Sequence, residues 1–280
     1  MSSVRWLLLG SALLNLNTLA GSVLPAAERT FVDRTMTVNG VALRLRCGGA
    51  RADGAPMVVL EAGAGNGAET WGKVQPQIAA FTRVCAYDRA ALRRYWHDGV
   101  RPPAPAPAAV VDTLEAVLAQ AGEKPPYVLV GHSYGGMIVR LYAMRFPDRV
   151  NGLVLIDSSH EDQLRRFAEL DPSAAAPPVN GGEVFDLPAT SAALNAHPWR
   201  SSIPLLVMTR GNAGGANPAS PPDAQAMARY RVWVDLQREL ATRSPNADHV
   251  TAAHSGHYIQ NDEPQLVVDG VRRIVAAASR

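Results

Sequence analysis

The run Tyr127-Val128-Leu129-Val130-Gly131-His132-Ser133-Tyr134-Gly135-Gly136 sets a short apolar strand against a helical pattern, Met137–Phe146, with a serine on the turn between them. A sharp strand-to-helix turn forces its middle residue into a strained backbone conformation and crowds the neighbours. Gly131 and Gly135 therefore stand where a side chain would collide, and the Ser133 hydroxyl is left projecting from the sheet edge. The N-terminal amides of the following helix aim at the same spot, where negative charge would be stabilised. The bare spacing G-x-S-x-G is only modestly specific in a chain rich in glycine and alanine. With a buried strand before it and a helix after it, it marks Ser133 as a nucleophile; the competing reading is a glycine-rich structural turn.

Outward from this turn, strand-like and helical segments alternate. Strands are predicted at Thr35–Val38, Ala42–Cys47, Met57–Leu60, Arg83–Tyr87, Tyr127–Val130, Gly152–Ile156, Leu205–Thr209 and His249–Ala253. Several are continuous runs of Val, Leu and Ile, as expected for strands covered on both faces of a parallel sheet. Helices are predicted at Ala68–Phe81, Val110–Ala121, Gly136–Phe146, Asp223–Ala241 and Glu263–Ala278. The first two strands, joined across Asn39-Gly40, read as a hairpin; after them the alternation requires a parallel sheet with right-handed crossovers. The Pro-Ala stretch Pro102–Pro107 leads extended into the next helix. Residues 158–201, with Pro172, Pro177, Pro178 and Gly181-Gly182, form an insertion after the sixth strand, and 211–222 a second loop. Loops at this end of a parallel sheet carry specificity rather than fold.

The 280 residues are 47% hydrophobic and 19% charged, enough for a sizeable core, and the formal charge of +2 is too small to make nucleic acid or an anionic membrane the main partner. At the N-terminus, Arg5 precedes the apolar stretch Trp6–Leu14, too short to cross a bilayer, and small residues follow with candidate cleavage after Ala20, Ser22 or Ala27. Residues 1–27 thus read as an export signal, with an uncleaved anchor or an overextended start as alternatives. The expected location is secreted or periplasmic, without stable membrane association. Cys47 and Cys85 each lie near the end of a predicted strand; an oxidising compartment allows them to pair, and two buried thiols fit equally well.

A serine hydroxyl needs a base within hydrogen-bond reach. His257, in Ser255-Gly256-His257-Tyr258 between the last strand and the terminal helix, is best placed, with His254 as competitor. His132 points elsewhere on the turn, while His97, His160, His197 and His249 read as surface or pocket-lining residues.

These features together resemble the α/β-hydrolase superfamily over nearly everything after residue 30. The matching stretches are Leu60–Gly65, Tyr87-Asp88-Arg89-Ala90, Gly131–Gly136, Leu153–Asp157 and Gly256-His257. The resemblance implies an eight-stranded, mostly parallel sheet in a domain spanning 28–280, with 158–201 as a cap, and the chain order Ser, acid, His. It implies that the strands carrying Cys47 and Cys85 are neighbours, which favours the disulfide. It implies an oxyanion hole from the amides of Tyr134 and Ala64, the latter in a loop similar to the family's His-Gly-x-Gly. The family's usual acid position, after the seventh strand, reads Arg210-Gly211-Asn212 with no carboxylate until Asp223. Asp157 is the alternative family position and is the acid chosen, ahead of Asp223 and Asp162; its competing use is as a turn cap.

After Tyr87-Asp88-Arg89-Ala90 the chain departs from the family, running Ala91-Leu92-Arg93-Arg94-Tyr95-Trp96-His97 where a Gly-x-Gly-x-Ser turn is common. Arg93 and Arg94 are either solvated or favour a substrate carboxylate. Phe185 and Trp199 are candidate contacts at the entrance, or core. The expected chemistry is ester cleavage through an acyl-enzyme on Ser133, requiring no metal or organic cofactor. An aminopeptidase, amidase or C–C hydrolase on the same triad, or a non-catalytic binding protein, are the competing functions.

Overall fold

The computed structural model describes residues 30–175, 182–197, 199–213 and 222–279. The proposed export segment, 1–27, lies outside the described residues, as do 176–181 and 198 within the insertion and 214–221 within the second loop.

Eight strands form one sheet: β1 (Val32–Val38), β2 (Val41–Gly48), β3 (Met57–Glu61), β4 (Val84–Tyr87), β5 (Tyr127–His132), β6 (Val150–Ile156), β7 (Leu205–Arg210) and β8 (Ala247–Ala252). Their order is β1-β2-β4-β3-β5-β6-β7-β8. The β1–β2 and β2–β4 pairs are antiparallel and all others parallel. The β1–β2 turn takes positive φ at both Asn39 (50°) and Gly40 (78°), the conformation a two-residue hairpin matched to strand twist requires.

Alternate residues of the central strands face opposite layers. Met57, Val59, Tyr127 and Leu129 join one core cluster, which holds side chains of α2 (Pro107–Gln120), α3 (Tyr134–Arg145), α5 (Leu187–Ala196) and α6 (Ala224–Ala241). Val58, Leu60, Val128 and Val130 join the other, built on α1 (Gln75–Ile78) and α8 (Pro264–Ala278). A strand buried on both sides has no polar face to show, which is why these runs lack alternation.

One expectation is corrected. The helix read across Ala68–Phe81 is instead a 3₁₀ turn, Ala68–Trp71, followed by the short α1. Pro76 has no N–H to bond the Gly72 carbonyl and is tolerated only in a first turn, so the helix restarts at Gln75. The 158–201 stretch contains α4 (Gln163–Ala168) and α5; Asp186 caps α5 by accepting from the Ala189 N–H at 2.8 Å. A further short helix, α7 (Ile259–Asp262), follows the His257 loop.

Cys47 and Cys85 sit opposite each other in the β2–β4 register and are bonded. Closing a loop with a sequence separation of 38 stabilises the fold by about 4 kcal/mol on the chain-entropy account.

Candidate active site

Ser133 is the residue between β5 and α3, with φ 52° and ψ −123°. A side chain cannot take the flanking glycine positions. A Cβ on Gly131 would lie 2.6 Å from the Gly135 carbonyl, and one on Gly135 would lie 2.3 Å from the Glu61 carbonyl. Backbone bonds brace the turn from three sides: the Ser133 N–H to the Ile156 carbonyl (3.1 Å), and the N–H groups of Gly136 and Ser159 to the Ser133 carbonyl (both 2.9 Å). A strained residue persists only when its surroundings over-determine it, as they do here.

The loop after β8 brings His257 to this hydroxyl, with Nε2 3.0 Å from Ser133 Oγ. The other ring nitrogen, Nδ1, is 2.6 Å from Asp157 Oδ2. Asp157 follows β6 and has no exposed surface. It accepts three further N–H bonds: from the Arg210 amide (3.1 Å), Arg210 Nη1 (2.9 Å) and Trp233 Nε1 (2.7 Å). Burial alone would raise its carboxyl pKa. The bonds from His257 and Trp233 and the Arg210 charge outweigh burial and hold it below the ordinary carboxylate range, so it is ionised at neutral pH. An ionised acceptor at Nδ1 fixes the proton there and leaves the Nε2 lone pair directed at the serine.

The remaining acids do not reach this cluster. Asp223 is exposed and caps α6 through the Ala226 N–H at 2.7 Å, while Asp162 pairs with Arg165 at 3.3 Å. His254 is exposed in the turn after β8, where its backbone N–H is held by Glu263. His160, read as surface or pocket-lining, is fully buried. Its chain stretch follows Asp157 under α3, beside the buried Arg140–Glu161 pair, and its Nδ1 accepts from the Asp162 N–H at 3.0 Å. Trp199 belongs to the core, whereas Phe185 packs on the Tyr134 ring with centroids 4.8 Å apart. Arg94 is engaged by Glu69 (2.8 Å) and Asp88 (3.3 Å).

Tyr134 is the first residue of α3, so its amide is among those with no partner within the helix. The Ala62–Gly65 loop after β3 faces Ser133: a Cβ on Gly63 would lie 3.1 Å from that of Ser133. Sequence reasoning assigned no role to Arg210 and Trp233, which hold Asp157, or to Glu61, Arg89 and Glu183 around this loop. A charged residue closing an apolar strand, as Glu61 closes β3 and Arg210 closes β7, was the available signal.

His132 lies against the ring of His257, centroids 4.7 Å apart, and its Nε2–H donates to the His257 carbonyl at 2.8 Å. Its Nδ1 is buried without a partner. Burial, aided by the neighbouring His257, pushes His132 down to about 3, and burial lowers His160 to about 4. Unfolded histidine titrates near 6.5. Between pH 6.5 and these values the unfolded chain therefore binds protons that the folded one refuses, and stability falls as pH falls. The unfolding free energy from urea titration is expected to drop through this window, by up to about 1.4 kcal/mol per pH unit for each histidine. In His132→Gln that slope should be roughly halved; an unchanged slope in urea titrations at pH 4 to 6.5 would contradict this account.

Residues 55–234 match the family model for the alpha/beta hydrolase fold. The chain belongs to that family. Over 86% of its length it is 26% identical to the uncharacterized protein YqjL of Bacillus subtilis (strain 168), covering 90% of that protein. A shorter match, 32% identical over 113 residues, covers 40% of the chain and 39% of the pimeloyl-[acyl-carrier protein] methyl ester esterase of Edwardsiella ictaluri. Among solved structures, a hydrolase from Pseudomonas aeruginosa PA01 superposes with TM-score 0.61 at 21% identity, over 88% of this chain and 98% of that one. A thermophilic esterase from Thermogutta terrifontis superposes with TM-score 0.57 at 17% identity, over 90% and 100%. Membership of the family supports an enzyme of hydrolytic type. Among the described residues no helix is long and apolar enough to cross a membrane, and the disulfide is compatible with an oxidising compartment.

Proposed function

We propose that the protein is a serine hydrolase that cleaves carboxylic esters of small molecules. The observation that carries this reading is the continuous chain of contacts from Ser133 Oγ through His257 to the buried Asp157. In the reaction, His257 Nε2 takes the hydroxyl proton as Oγ adds to the ester carbonyl. The carbonyl oxygen becomes an anion and is held by the amides of Ala64 and Tyr134, each donor being worth a few kcal/mol of barrier. Collapse expels the alcohol, protonated by His257, and water then releases the acid by the same steps. Esters are favoured over amides because an alkoxide leaves more readily than an amine. An esterase among the relatives supports the same choice. Residues 158–201 serve as the cap over the entrance. The N-terminal pattern of residues 1–27 together with the Cys47–Cys85 bond supports export to the periplasm or beyond.

A fluorophosphonate probe and a panel of p-nitrophenyl esters and anilides test this. Wild-type protein should be labelled once, on Ser133, and should turn over short esters; His257→Ala should do neither. Absence of labelling in folded wild-type protein, or turnover of anilides alone, would overturn the ester reading.

A further inference from the structure

Glu61, Arg89 and Glu183 are almost fully buried together beside the β3 loop. Buried charges are costly even when paired, so a cluster of three at the end of an otherwise apolar strand calls for a purpose beyond stability. Their hydrogen bonds supply one. Arg89 is paired with Glu61 through Nη1 and bidentately with Glu183, from Nε and Nη2, at 2.6 Å each. Its remaining N–H groups go to main-chain carbonyls: Nη1 to Ala62 at 2.6 Å and Nη2 to Gly63 at 2.7 Å. Glu183 Oε2 in turn accepts the Gly65 N–H at 2.8 Å. Three successive peptide units, 62–63, 63–64 and 64–65, are thus each held by Arg89 or Glu183, and Asn66 adds its N–H to the Gly63 carbonyl (3.2 Å) and its Nδ2 to that of Ala64 (3.0 Å).

Peptide planarity turns this into a statement about direction. In a trans unit the carbonyl and the following N–H point opposite ways. With the Gly63 carbonyl drawn to Arg89, the Ala64 N–H is turned away from the guanidinium. The same guanidinium lies 5.5 Å from the centre of the Tyr134 ring, and Phe185, two residues after Glu183, packs against that ring at 4.8 Å between centroids. Backbone bonds from Arg93 N–H to the Gly182 carbonyl (2.8 Å) and Val184 N–H to the Ala91 carbonyl (3.1 Å) fix the segment bearing Glu183 to the turn after β4.

We propose that Arg89 and Glu183 are positioning residues that preset the Ala64 amide for the developing oxyanion, so that the segment between β6 and β7 helps to build the rate-enhancing apparatus as well as the entrance. The inference rests on the hydrolase reading above. Neither side chain touches substrate; both act through the β3 loop.

The test compares full-length, oxidised wild type, Arg89→Met and Glu183→Gln in p-nitrophenyl acetate hydrolysis and in inhibition by an aryl trifluoromethyl ketone. Ser133 Oγ adds to that ketone, giving its proton to His257, and the ketone oxygen becomes an anion in the place of the ester's. Removing a preset donor costs about 10²- to 10³-fold in kcat, the loss expected for Arg89→Met, with about ten-fold for Glu183→Gln. KM should move less than three-fold, and the ketone's inhibition constant should rise by the factor that kcat falls. Glu183→Gln preserves side-chain volume and decides the matter if Arg89→Met does not fold. A folded Glu183→Gln whose kcat and ketone affinity stay within two-fold of wild type overturns the proposal, as does a change confined to KM. Wild-type protein that neither hydrolyses the ester nor binds the ketone overturns the hydrolase reading itself, and this inference with it.

Discussion

Ser133→Ala is expected to lower kcat for p-nitrophenyl acetate by about 10⁵- to 10⁶-fold, to the level that binding and the oxyanion donors alone can sustain. In the proposed reaction the serine oxygen is the atom that becomes acylated, and among the described residues it is the hydroxyl that His257 Nε2 bonds. The fold should be indifferent to the change. The turn is braced by main-chain bonds from Ile156, Gly136 and Ser159 rather than by the hydroxyl, and its side chain caps nothing. Far-ultraviolet circular dichroism and the melting temperature should thus match wild type while turnover vanishes. A folded variant retaining more than about one part in a thousand of wild-type kcat would remove Ser133 from the mechanism.

The second large effect is expected at Asp157→Asn, about 10⁴-fold in kcat. All four partners of this carboxylate are N–H donors: His257, the Arg210 amide, Arg210 Nη1 and Trp233 Nε1. An asparagine must place its own NH₂ where one oxygen stood, facing either the Arg210 amide and Trp233 Nε1 or Arg210 Nη1 and the imidazole. If the imidazole yields, its proton moves to Nε2, where it faces the serine and ends base catalysis. Asp223→Asn serves as the contrast. Asparagine caps a helix about as well as aspartate, and the exposed Asp223 holds the Ala226 N–H rather than the imidazole, so its kcat should stay within two-fold. Loss of turnover in Asp223→Asn with activity kept in Asp157→Asn would reverse the assignment.

How far the sequence discloses these parts depends on how local their cause is. The Ser133 turn is written within six residues: Gly131 is demanded by the backbone of Gly135 and Gly136 just after it, and Gly135, though crowded by the Glu61 and Ala62 carbonyls of β3, falls in the same short spacing. The strands of the sheet were readable for a similar reason, as burial on both faces leaves continuous apolar runs. Asp157 was only one of three candidates, since nothing near it in the chain announces that β7 will deliver Arg210, and α6 Trp233, onto its oxygens. The missing carboxylate after β7 was visible; that an arginine stands there to hold the acid from the neighbouring strand was not. The Glu61–Arg89–Glu183 cluster joins residues 122 positions apart at its extremes, 183 less 61, and only the assembled fold brings them together. The broken first helix differs in kind: Pro76 announces the break locally, and the helical spacing that runs across 68–81 masks it.

Glu183 also bears on how such a protein can be remodelled. Exchanging the stretch between β6 and β7 for that of another relative is an obvious way to change which acyl groups gain entry. Here the donor stretch would have to carry a carboxylate that reaches both a main-chain amide of the neighbouring loop and a sequestered guanidinium. On the role proposed for Glu183, selectivity and speed are soldered at one side chain, and a graft chosen for shape alone would alter both.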